Sequence, residues 1–162
     1  HGGRGGLNKT AFVAAVQTTQ DGKPLFMRLR PIAGFTNQAL KEWALHSLAP
    51  TAHVVSDGTA CFAQVTHMGA THERYVTGSG RHAAQMPTFK WVNTVLGNVK
   101  TALNGTYHSV AYAKYAGRYL AEFAYRFNRR FDLAAMLPRL LRAACVTQPQ
   151  PLKIIRYSEA GS

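Results

Sequence analysis

VVSDGTACF, residues 54–62, decides how the chain is read. Its opening is too short for a helix and rich in β-branched side chains, so it reads as a buried parallel strand ending at Asp57. The next stretch, 58–69, reads as a short helix closed by Gly69, and 71–78 alternates as a further strand. Upstream, AFVAAVQTT (11–19) and PLFMRLRPI (24–32) are strand runs flanking QDGK, whose Asp-Gly step signals a hairpin turn. Residues 36–50 then place Leu40, Trp43, Ala44, Ser47 and Leu48 at helical spacing, with Thr36 as N-cap and Pro50 as the stop. Hairpin, helix, strand, helix, strand and further helices make an α/β domain with a mixed sheet. In such sheets functional groups gather at the carboxyl ends of parallel strands, which makes Asp57 a candidate ligand. The structural alternative is that Asp57 caps the helix beginning near Thr59, with Thr59 itself a capping residue.

Downstream, 78–87 reads as a loop carrying Arg81 and His82. Residues 90–104 form a helix with an apolar stripe of Val92, Val95, Leu96, Val99 and Leu103. Its other face carries Asn93, Gly97, Lys100 and Asn104. A long helix over 109–133 places Tyr115, Tyr119, Phe123, Phe127 and Phe131 in one row, and Lys114, Arg118, Glu122, Arg126 and Arg130 in the next. Glu122, four residues from both Arg118 and Arg126, reads as an intrahelical ion-pair partner. From 134 a short amphipathic segment runs through Leu137, Leu140 and Leu141, and the chain beyond 147 reads as a flexible tail.

With 162 residues and 46% hydrophobic content, the chain can build one globular core. Nineteen Lys and Arg against seven Asp and Glu give a formal charge of +12, which favours a polyanion, nucleic acid before an anionic membrane. No apolar run reaches the roughly twenty residues of a membrane span, and nothing marks the basic helix as an interfacial anchor, so no membrane partner is expected. Cys61 and Cys145 lack ligand spacing, and His67, His72, His82 and His108 show no zinc pattern; His82 and His108 are candidate phosphate contacts when protonated. Asp21 belongs to ordinary turn chemistry. The opening HGGRGG reads as a hairpin remnant over 1–10 that comes after another element.

WVNTVLGNVKTALNGTYH (91–108) followed by RYLAEFAYRFNRRFDL (118–133) resembles the carboxyl half of bacterial insertion-sequence transposases of the IS-fifteen-ninety-five group, with their ISXO-two-like catalytic domain. Val55, Asp57 and Gly58 match that group's "V.SDG" strand end. Asn93, seven residues before Lys100, with Gly105 five further on, matches its third-acid position, where Asn can replace the acid. The resemblance implies an RNase H-like domain over 11–146, its mixed sheet flanked by helices, that cuts insertion-sequence ends and joins them to target DNA. It also implies Mg²⁺ or Mn²⁺ as cofactor and Asp57 and Asn93 as catalytic metal ligands. Assembly as a homo-oligomer and a cytoplasmic, nucleoid-associated location go with it. The family's first Asp lies on a strand upstream of the glycines, so this chain is expected to lack its first, central strand and to be catalytically incomplete. Lys100, Arg126, Arg129 and Arg130 are the expected phosphate contacts. The alternative is a non-catalytic, basic DNA-binding remnant.

Overall fold

A computed structural model describes residues 10–76, 86–106 and 112–156. The loop at 78–87, with Arg81 and His82, lies almost wholly outside the described residues, as do His108 and the glycine-rich start.

β1 (Phe12–Thr18) and β2 (Pro24–Pro31) form the expected antiparallel hairpin. Its turn is set by local chemistry. Gly22 takes φ +78°, which a side chain resists; Thr19 donates its hydroxyl to Asp21, and Lys23 pairs with Asp21 at 2.9 Å. Asp21 is thus spent on the turn; the Thr19 hydroxyl first, then Lys23, holds its carboxyl below the usual range.

α1 (Asn37–Ser47) starts where Thr36 Oγ1 accepts the Ala39 N–H at 3.2 Å and buries Leu40, Trp43 and Ala44. The helix ends at Ser47, before the proline expected to stop it, because Leu48 is already extended. β3 (His53–Ser56) pairs in parallel with β4 (Thr71–Arg74). Between them Ala60–Met68 is a 3₁₀ helix, closed by Gly69 at φ +84°. A short 3₁₀ turn, Pro87–Phe89, leads into α2 (Lys90–Thr106), followed by α3 (Tyr112–Asn128), α4 (Met136–Val146) and α5 (Leu152–Ile155).

Period-two alternation gives the hairpin two apolar faces, and each has its own helical cover. Val13 packs with Leu40, Trp43 and Ala44 of α1 and with Cys61 and Val65 of the 3₁₀ helix, while Val54 of β3 joins this cluster. Met27 and Leu29 pack on the opposite side with Val95 and Val99 of α2 and Leu120 of α3, flanked by Phe12, Ala14 and Val16. The α/β class stands, but among the described residues the mixed sheet expected from the sequence is two separate two-stranded sheets. The Ile32 N–H donates to Ala11 O at 3.0 Å, which sets the hairpin's phase. Phe12, Ala14 and Val16 therefore direct their backbone groups away from β2, and no strand among the described residues bridges that edge to β3.

The outer edge of β2 is covered instead. Asn128 Oδ1 accepts the Met27 N–H at 2.7 Å, and Asn128 Nδ2 donates to Met27 O at 3.0 Å, so one side chain acts as a neighbouring strand. Arg130 continues the cover, donating to Leu25 O at 3.1 Å and to Pro24 O. This use of Asn128 coincides with the end of α3, five residues short of the extent read from its aromatic row. Phe131 consequently falls outside the helix and is 86% exposed, not part of the core stripe. Leu96 is likewise exposed. α4 forms as an amphipathic segment but buries no residue, and a turn of helix, α5, lies within the stretch read as tail, where Arg118 donates to Ile155 O. No helix among the described residues is long and apolar enough to cross a membrane.

Candidate functional site

The parallel pair runs in register from His53 opposite Thr71 to Ser56 opposite Arg74, and the Tyr75 N–H extends the ladder to Ser56 O at 2.9 Å. Asp57 is the first residue beyond β3 and is exposed. Its Oδ1 accepts the Thr59 N–H at 3.0 Å, while Oδ2 has no hydrogen bond among the described residues. Thr59 occupies the N-cap position of the 3₁₀ helix, but its own side chain makes no capping bond; the Asp57 carboxylate caps instead, from two residues upstream. Gly58 packs against Val76: a Cβ there would stand 3.4 Å from Val76 Cα, at the edge of ordinary van der Waals contact.

Aromatic contacts bring the start of α2 to this end of the strands. Tyr75, just past β4, meets Phe89 edge to face with ring centroids 6.0 Å apart. Trp91 Nε1 donates to Gly22 O of the hairpin turn at 2.6 Å. Asn93 lies one turn beyond Phe89 and is half-buried. Sequence reading missed this fastening, because Tyr75 and Phe89 lie in different elements and only the tertiary fold brings their rings together. Lys100 lies two turns past Asn93 on the same side of α2, roughly 10 Å along the axis, and is exposed.

The other carboxylate of this sheet, Glu73, is engaged by the Tyr75 hydroxyl at 2.6 Å and by His53 Nε2 at 3.2 Å. The Tyr75 hydrogen bond, then His53, holds Glu73 below its ordinary pKa. Cys61 is buried, and burial first, with the Asp57 carboxylate adding to it, pushes its thiol up, so it is a core residue and not a ligand. Among the described residues no three of His, Cys, Asp and Glu gather to hold a metal ion. What the strand end offers is hard oxygen chemistry: the Asp57 carboxylate, with one oxygen that makes no hydrogen bond among the described residues. That suits Mg²⁺, which takes one or two carboxylates and completes its shell with water and substrate phosphate.

The expected phosphate contacts divide. Lys100 is open to solvent. Arg126 Nε pairs with Glu122 at 3.1 Å, the ion pair read from their spacing. Arg129 and Arg130 are half-buried and engaged with the fold: Arg129 stacks 3.9 Å from the Tyr125 ring centroid, and Arg130 stacks on Phe127 and Phe131 while capping the β2 edge. Sequence spacing could not show this, because the carbonyls that Arg130 serves lie about a hundred residues upstream.

A family model described as the ISXO2-like transposase domain matches residues 1–128. The chain belongs to this transposase family. Curated proteins and solved structures give no match. In this ISXO2-like domain the matched region ends with the last residue of α3, so α4 and α5 lie beyond it. Transposition is the activity class, and DNA is the partner that the family implies.

A titration accompanies the strand end. His72 of β4 has its pKa lowered from the ordinary 6.5, by burial first and by Arg74 second. Because the folded value is depressed, the unfolded chain takes up the proton more readily. His72's contribution to stability is therefore present above about 6.5 and lost as pH falls through the folded value. Thermal unfolding followed by circular dichroism should show a midpoint that drops from about pH 7.5 to about pH 5, and His72→Gln should flatten the slope across that window.

Proposed function

We propose that, within the full-length transposase, this domain takes part in divalent-metal-dependent cleavage and strand transfer at insertion-sequence ends, with Asp57 and Asn93 as the metal ligands it contributes. The observation that carries the reading is the family match across a strand end that closes on an exposed Asp, with one oxygen uncommitted, while Tyr75 at the end of the paired strand meets Phe89 just ahead of α2. Mg²⁺ held there would act as a Lewis acid on the scissile phosphate, stabilising charge on the attacking and leaving oxygens. Asp57 would supply the negative oxygen that holds the ion, and its bond to the Thr59 N–H fixes the carboxylate's direction. Asn93 would add a neutral oxygen. Lys100, on the same side of α2, would hold a DNA phosphate, with Arg126 adding to the positive field. Arg129 and Arg130, stacked on aromatic rings and half-buried, would add charge to that field. The RNase H-like arrangement, the cytoplasmic setting beside the nucleoid and a homo-oligomeric assembly belong to the same proposal.

The second reading is a basic DNA-binding domain without catalysis, favoured by the Asp57–Thr59 hydrogen bond, which gives Asp57 a purely structural occupation. Joining assays on DNA carrying the element's ends separate the two. The catalytic reading expects products only with Mg²⁺ or Mn²⁺. The binding reading expects salt-sensitive retention of DNA that is indifferent to the metal, with no joined product under any condition.

A further inference from the structure

Ser56 is the one buried polar side chain of this strand end among the described residues, 6% exposed, and its hydroxyl sits between two partners. Ser56 Oγ donates to the backbone carbonyl of Asp57 at 3.0 Å and lies 2.8 Å from His72 Nε2. A hydroxyl has one proton; with that proton on the Asp57 carbonyl, His72 must be the donor through Nε2–H. The chain runs from a β4 imidazole through a buried hydroxyl to the peptide that carries Asp57. It fixes the backbone of that residue, while the Thr59 N–H fixes its carboxylate.

We propose that Ser56 and His72 are positioning residues that set where the Asp57 carboxylate emerges from the strand end; this rests on the reading of Asp57 as a metal ligand. Neither touches the ion or the substrate. Burial first and Arg74 second lower the His72 pKa, which favours a neutral imidazole over a positive charge beside the metal ligand. Supporting groups of this kind alter metal affinity through the ligand they orient.

The test is a Mn²⁺ titration of the full chain, with free Mn²⁺ read by electron paramagnetic resonance. Ser56→Ala and His72→Leu are expected to weaken Asp57-dependent binding about 10–100-fold, and Ser56→Thr and His72→Gln, which keep the hydroxyl and the N–H donor, to restore it to within about threefold. Unchanged Mn²⁺ affinity in Ser56→Ala, whatever its thermal midpoint, overturns the positioning role. Absent binding in the wild type, or unchanged binding in Asp57→Ala, overturns the ligand reading beneath it. Because a core serine variant can fail to fold, the wild-type tautomer is a second test: ¹⁵N shifts should show His72 protonated at Nε2, and protonation at Nδ1 alone would break the chain of donors and sink the proposal.

Discussion

In the full-length transposase, Asp57→Ala is expected to remove joining of insertion-sequence ends by more than about 10²-fold while leaving DNA binding within about twofold, since a charged ligand contributes several kcal/mol to the transition state and each 1.36 kcal/mol is tenfold in rate. Binding survives because it draws on the excess of twelve positive charges, which removal of one acid increases. Asp57→Asn separates chemistry from architecture. Its amide oxygen can still accept the Thr59 N–H, so the turn into the 3₁₀ helix is kept and stability should change by less than about 0.5 kcal/mol. Joining should nevertheless fall nearly as far as with Ala, because the charge on the ligand is gone. Gel-based strand-transfer assays on paired variants would decide it. Joining retained by both would leave Asp57 as a turn residue in a DNA-binding domain.

Asn128→Ala should destabilise the fold by about 2–3 kcal/mol in urea unfolding, because it strips both backbone partners from Met27, a residue 4% exposed, and unsatisfied buried groups cost about 1–3 kcal/mol each. Asn128→Asp should fare no better: it keeps an acceptor for the Met27 N–H but turns a carboxylate oxygen toward the Met27 carbonyl. Asn128→Gln carries the same groups one methylene too far to meet both. The effect should be coupled to Arg130→Ala, since Arg130 serves the neighbouring carbonyls of the same edge. A loss under about 0.5 kcal/mol for Asn128→Ala would mean that water serves that edge as well as the side chain does.

Hairpin, α1 with its Thr36 cap, the β-branched run into Asp57, the closure at Gly69 and the apolar face of α2 were legible because each is set within a few residues. β-branching, Asp-Gly turn chemistry, capping and helical spacing act through neighbours along the chain. So did the Glu122–Arg126 pair. The family was legible for a related reason, since its motif is a spacing of residue types. The ends of elements were harder. α3 read five residues too long because its aromatic row continues in period, and only the demand of the β2 edge for Asn128 marks the stop.

By itself the sequence determined the α/β class, the basic character, the transposase family and which acid stands at a strand end. Tertiary structure alone decided that the strands form two small sheets, that Arg129 and Arg130 serve the fold, and that Phe131 lies in solvent. It also decided that Ser56 and His72 stand behind Asp57. The reason is physical: backbone edges and buried hydroxyls take whichever donor the packing brings within about 3 Å, and those donors come from residues as far as a hundred positions away.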